Sequence, residues 1–105
     1  MRSLKKDVVC KNTEILGLTI RYGKWYKITI RNENKFWLTR YYGVSNGSDF
    51  LHMGNTYVVS PDYVRYYDCG GNDSYPLCYA DEITDIERVD VEYVNNIKSQ
   101  RGCNF

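Results

Sequence analysis

Histidine occurs once in the 105 residues and proline twice, and no apolar run approaches the roughly twenty residues of a membrane span. Each scarcity excludes something. With His52 alone, no Ser/His/Asp set can be assembled by motif, and Cys–His nucleophilic chemistry would have to draw on one of four cysteines with nothing to single it out. No two of Cys10, Cys69, Cys78 and Cys103 have the two-residue spacing of a zinc knuckle, so a Cys₃His set exists only by arithmetic. Gly70-Gly71 lacks the Lys-Ser/Thr that completes a phosphate loop. The acids between Asp81 and Glu92 include possible carboxylate pairs, but a solvated or salt-paired face is the simpler reading. The expectation is a protein with no catalytic residues, no metal and no cofactor, in which His52 is a partly buried structural residue of a strand.

Targeting signals are also missing. The first residues, MRSLKKDVVC, carry charge without an apolar stretch of signal-peptide length, and RGCNF is not a prenylation box. We expect a cytoplasmic protein with no membrane contact. In that setting Asn46-Gly47-Ser48 and Asn72-Asp73-Ser74 match glycosylation sequons by coincidence. Cys10, in an apolar strand pattern, reads as a buried reduced thiol. Cys69 and Cys78 flank a loop and could pair only if the compartment were oxidising.

What the chain lacks overall, net charge, it has locally. The total is +1, but residues 1–40 carry ten Lys/Arg against three Asp/Glu, while residues 41–105 carry four against ten. Such asymmetry marks either a basic face opposed by an acidic one or two halves paired across a single sheet. The small total argues against a strong nucleic-acid binder.

Tyrosine is abundant, with eleven residues in a chain that is 43% hydrophobic and 26% charged. Its apolar body and polar tip suit half-buried strands and interfaces alike. Short β-type runs are separated by turn residues: Asp7–Cys10, Leu18–Ile20, Lys24–Arg31, Phe36–Tyr42, Phe50–Met53 and Tyr57–Val59, with Tyr63–Tyr67 a strand or an irregular crossing. Lys11–Glu14 reads as a polar loop, Gly23 as a turn or bulge, and Asp68–Pro76 as the longest loop. For 82–94, β-branched residues favour a strand over Glu87–Tyr93, entered through one helical turn at Asp81–Asp85. The prediction is a mainly β chain of five to six short strands in a small, partly open barrel. It would occupy residues 1–94, with 95–105 a C-terminal tail or short helix.

The richest stretch, RYGKWYKITIRNENKFWLTRYY over 21–42, holds both tryptophans. A three-residue loop at Asn32–Asn34 would set Ile30 opposite Phe36 and Ile28 opposite Leu38. One face would then hold Tyr26, Ile28, Ile30, Phe36 and Leu38 as core. The other would hold Trp25, Lys27, Thr29, Arg31, Lys35, Trp37, Thr39 and Tyr41, basic and aromatic together. A two-residue loop at Glu33–Asn34 would bury cations beside apolar groups, so the hydrophobic pattern favours the longer loop.

Two stretches carry a likeness. Asp7-Val8-Val9-Cys10-Lys11-Asn12, then Leu18-Thr19, then Gly23-Lys24-Trp25-Tyr26-Lys27-Ile28 resembles the opening of small SH3-like barrels of bacteria and their phages, with Ile20-Arg21-Tyr22 as an insertion. Pro76-Leu77-Cys78 and Asp81 to Glu87 look like the closing strand of SH3-like and Sm-like barrels. The resemblance implies a binding scaffold, and fold does not fix its ligand.

The candidate binding residues are therefore Trp25, Lys27, Arg31, Lys35, Trp37 and Tyr41. They could form a stacking platform for single-stranded nucleic acid. They could also be a second hydrophobic layer covered by the acidic half of the chain. As an exposed apolar–basic patch they would bind a protein, since Trp, Tyr and Arg dominate interface hot spots. The sequence reading favours an acidic protein partner, with the chain as inhibitor or adaptor. Single-stranded nucleic acid is the alternative, and a small-ligand pocket at Asp68–Pro76 is a third class.

Overall fold

The strongest β-formers of the chain, Trp25 to Ile30 and Phe36 onward, build the centre of the molecule. The computed structural model describes residues 8–67 and 75–100. Among these, nine strands are formed: β1 (Val8–Val9), β2 (Thr13–Ile15), β3 (Leu18–Ile20), β4 (Trp25–Ile30), β5 (Phe36–Ser45), β6 (Phe50–Val59), β7 (Val64–Tyr67), β8 (Tyr75–Tyr79) and β9 (Ile83–Val89). A helix, α1 (Val91–Gln100), follows. The main sheet runs β7-β6-β5-β4-β9, with β1 added to β5 and β8 to β6, and β2 and β3 form a separate hairpin. The protein is mainly β, with a sheet that does not close and one C-terminal helix, as expected.

The strands differ from the expected five to six in two places. The segment read as a polar loop at Lys11–Glu14 instead supplies β2, because a two-residue turn at Leu16-Gly17 folds it onto β3. Phe50–Met53 and Tyr57–Val59, read as two strands, are halves of one continuous β6, which pairs with β8 through its first half and β7 through its second. The helical turn before β9 is a 3-10 turn at Ala80–Glu82. The strand expected over Glu87–Tyr93 ends at Val89, where Asp90 accepts the Tyr93 backbone N–H through its Oδ1 at 2.9 Å and starts α1. Tyr93, Val94 and Ile97 pack this helix on the sheet, so it belongs to the domain, and the boundary expected after residue 94 falls inside it.

The register of the central hairpin differs from both alternatives read from the sequence. Thr29 lies opposite Phe36, Ile28 opposite Trp37, Lys27 opposite Leu38 and Trp25 opposite Arg40. Asn32 takes a left-handed conformation (φ 67°), and the Glu33 N–H donates to the Ile30 carbonyl. The Glu33 carboxylate then accepts the indole N–H of Trp37 at 3.0 Å. This shift moves every side chain of β5 to the opposite face from the one expected. The expectation assumed one buried face. In fact Trp37, Leu38 and Thr39 are buried in succession, because the sheet is covered on both sides.

Two cores result. The first gathers Tyr26, Ile28, Ile30, Trp37, Tyr41, Val58, Ile83 and Ile86 with the β2–β3 hairpin. The second gathers Leu38, Tyr57, Val59, Val64 and Val89 beneath Val94 of α1, with Trp25 and Phe36 at its margin. Phe36 and Leu38 thus leave the predicted core set for the helix-covered side. The charge asymmetry resolves as two halves paired across one sheet: acidic β9 lies beside basic β4, with Glu87 opposite Lys27 and Asp85 opposite Thr29.

Cys10 is exposed rather than buried, since β1 ends at Val9. Cys78 is a buried free thiol, and Cys69 lies outside the described residues. Burial, then the nearby Glu82, Glu33 and Asp81 carboxylates, push the Cys78 thiol up to about 12 from 9.0. Burial likewise drives the Tyr41 hydroxyl well above 10.0, helped by Cys10 and Tyr26. That hydroxyl is buried without a hydrogen-bond partner among the described residues. Both groups hold their protons more tightly folded than unfolded, so their stabilisation is complete below the unfolded values and is lost as pH climbs through the folded ones. Stability should fall as pH rises above about 9, and the double variant Cys78→Val, Tyr41→Phe should flatten that decline in denaturant titrations across alkaline pH. At neutral pH Tyr41→Phe should be neutral or stabilising, because it removes an unpaired buried hydroxyl.

The β2–β3 turn makes a second prediction. Leu16 (φ 51°) and Gly17 (φ 82°) are both left-handed, and Leu16 is 65% exposed. A leucine gains no burial there and bears the steric cost of that backbone. Leu16→Asn should raise unfolding free energy by about 1 kcal/mol, read by urea denaturation, since Asn-Gly is the favoured pair for such a turn.

Candidate functional site

The six residues expected to share one surface are distributed over three places. Trp37 is 8% exposed and Tyr41 fully buried, both in the first core. Trp25 and Lys27 lie on the opposite, helix-covered face and are half-buried. Lys27 is matched within the fold: its Nζ sits 4.7 Å from the Phe36 ring centre, and Glu87 lies opposite it. Arg31 and Lys35 flank the hairpin turn, about 20 Å along the strand from Trp25 at the usual rise per residue. The Arg31 guanidinium donates to the Asp81 carbonyl, and its backbone N–H to the Glu82 carbonyl at 2.8 Å. Arg31 therefore ties the turn to the 3-10 turn before β9. The predicted patch is dissolved by the register, because Trp37 and Tyr41 turn inward while Trp25 turns outward.

A different constellation forms around Trp25. A cleft of about 370 Å³ is lined by Lys24, Trp25, Arg40, Arg88, Val89 and Asp90, with Gly23 and Val91 at its ends. Each element contributes for a local reason. Gly23 is left-handed (φ 83°), with its N–H on the Tyr41 carbonyl at 2.8 Å, while the Tyr41 N–H bonds the Lys24 carbonyl at 2.9 Å. This irregular start to β4 sets Lys24 beside the cleft. Register places Arg40 of β5 and Val89 of β9 on either side of Trp25. Asp90, capping α1, closes the helix side. The indole rests on Tyr57, ring centres 6.1 Å apart, and Tyr57 on Tyr66 at 4.7 Å.

The electrostatics of this place are unlike the rest of the sheet. Lys24, Arg40 and Arg88 are exposed, and none has a side-chain hydrogen bond or ion-pair partner among the described residues. Beyond Arg40 lie half-buried Tyr42 and exposed Tyr22, with ring centres 5.6 Å apart, and exposed Arg21. Along β9 the exposed acids Glu87 and Asp85 follow at Lys27 and Thr29 in the register with β4. The arrangement can hold an anion beside an apolar group. It offers no nucleophile paired with a base.

Only Trp25 of the six expected site residues lines the cleft. Lys24, Arg40 and Arg88 were missed. The signal for Arg40 was the Glu33/Trp37 spacing of four, which permits the indole–carboxylate bond and with it the true register. For Arg88 no local signal exists, because its position depends on β9 pairing with β4.

His52 is buried at 3% exposure, its Nε2 2.8 Å from the Ser45 Oγ and its ring edge-on to Phe50. Among the described residues no three His, Cys, Asp or Glu side chains are placed to hold a metal ion, and no helix is long and apolar enough to cross a membrane.

The two tryptophans should separate cleanly. Trp37→Ala should cost about 3–5 kcal/mol of stability, a large share of what a domain of this size has. Trp25→Ala should cost clearly less and leave a folded protein, as urea titrations followed by circular dichroism would read. No protein-family model, curated protein or solved structure matches this chain, so its functional reading rests on its own geometry.

Proposed function

We propose that this chain is a non-catalytic binding module whose contact surface is the cleft over Trp25 and whose partner is a protein with an acidic surface. The observation that carries this reading is the cluster of Lys24, Arg40 and Arg88, unpaired around a half-buried indole. Two cations of the central hairpin are engaged instead: Lys27 lies over Phe36 opposite Glu87, and Arg31 bonds the Asp81 carbonyl. Cations left unmatched beside tryptophan are the residue types that anchor protein interfaces, and their field steers an oppositely charged partner into place.

The resemblance to small SH3-like barrels of bacteria and phages supports the same class, and an inhibitor or adaptor is the form it suggests. Single-stranded nucleic acid is the competing ligand. Asp90 in the cleft wall, with the near-neutral total charge of the chain, stands against it, because a continuous polyanion gains most from an unbroken basic surface.

The test is affinity capture from a bacterial lysate with and without nuclease, using the wild type beside Arg40→Glu, Arg88→Glu. Both positions are exposed, so the double variant should keep its circular dichroism spectrum. A nuclease-resistant protein captured by the wild type and lost by the variant is the expected result. Capture that nuclease abolishes, or that charge reversal leaves unchanged, overturns the reading.

A further inference from the structure

Resting on that reading, we infer that the cleft recognises a carboxylate next to an apolar side chain, in a short acidic peptide segment of the partner. The charge inventory limits the anion. Three exposed cations line the cleft, but Asp90 lines it too, and its place is fixed by the bond from its Oδ1 to the Tyr93 N–H. The remaining excess suits one or two carboxylates. A phosphodiester chain would carry a continued row of negative charge past Asp90, and a phosphate dianion, equal in charge to two carboxylates, has no apolar part to set against Trp25, Val89 and Val91.

Geometry points the same way. A planar guanidinium pairs two parallel N–H donors with the two oxygens of one carboxylate, and Arg40 stands directly across from Trp25 in the adjacent strand. The apolar part of the site is Trp25 with Val89 and the 57% exposed Val91. Apart from the Trp25 indole N–H it carries no polar side-chain group, and it takes an aliphatic or aromatic side chain next to the carboxylate. A volume of about 370 Å³ lies within the usual range for a small ligand site, so it holds a few side chains and not a folded surface.

The surroundings set a direction. Asp90 closes the α1 side to negative charge. Arg40, the Tyr22–Tyr42 pair and Arg21 leave the other open. The segment therefore leaves the cleft across β5, with further acidic or aromatic residues over Arg21 and the tyrosines.

The experiment uses the whole chain labelled with nitrogen-15. Its two indole N–H resonances report separately on Trp25 and Trp37, assigned with Trp25→Phe. Four probes are titrated: acetyl-Glu-Phe-Glu-amide, its neutral acetyl-Gln-Phe-Gln-amide analogue, inorganic phosphate and decathymidylate. The acidic peptide should shift the Trp25 resonance saturably and leave that of Trp37 in place, while the neutral analogue should not. Arg40→Gln and Arg88→Gln should each weaken the acidic peptide about two- to fivefold, as expected for an exposed charge pair. Equal binding of the neutral peptide, tighter binding of decathymidylate or phosphate, or no effect of the acidic peptide would overturn the inference. If the acidic peptide is silent while a captured protein still depends on Arg40 and Arg88, the carboxylate inference falls and the protein-binding reading stands. If charge reversal also leaves capture unchanged, both fall.

Discussion

The bond between the Trp37 indole and the Glu33 carboxylate sets the register on which the rest of this structure depends. It spans four residues around the β4–β5 turn and fixes which face of β5 turns inward. The left-handed Asn32 makes the turn possible, and Arg31 anchors it to the 3-10 turn before β9 through two bonds to backbone carbonyls. With that register Trp37 enters the first core, Leu38 enters the second, and Arg40 comes to stand across from Trp25. A slip of one residue would exchange all three. The candidate site is thus a remote consequence of a contact at the far end of the hairpin.

Burial on both faces is the second constraint. A sheet this short could leave one side to water, as many antiparallel sheets do. Here β5 runs Trp37-Leu38-Thr39 with no solvent-facing member, and Thr39 is satisfied sideways by a hydroxyl pair with Thr56 at 2.6 Å. Because the Thr56 hydroxyl itself donates to the Gly54 carbonyl at 2.9 Å, Thr39 is the donor of that pair. Covering the second face requires α1, and Asp90 places it directly after β9. The N-cap that starts the helix therefore also supplies the acidic wall of the cleft.

Much of the fold was legible because it rests on local chemistry. β-branched and aromatic runs marked the central strands, Gly23 the irregularity before β4, and the split of charge foretold that acidic and basic segments would pair. The register was not legible, since alternation locates a core face only when one face alone is buried. Phe36 and Leu38 looked like partners of Ile28 and Ile30 by hydropathy, and only the turn geometry distinguishes them. The candidate site was half legible. Trp25 stood out by type, whereas Lys24 just before β4, Arg40 of β5 and Arg88 of β9 are brought together by strand pairing, for Arg88 between segments more than sixty residues apart in sequence. Charge type alone could not tell matched cations from unmatched ones.

That distinction explains why the site lies where it does. In the middle of β4 its one cation, Lys27, lies opposite Glu87 and over the Phe36 ring of neighbouring strands. At the Trp25 end the pattern breaks. β9 there contributes Arg88 and Val89 rather than an acid, and β5 contributes Arg40. The three cations share one cleft with a single acid, Asp90, and among the described residues no hydrogen bond of the fold uses their side chains. A bound carboxylate would gain from the cations together. The same departure from charge matching that leaves these cations without a fold-internal role is what would let this end of the sheet receive an anion.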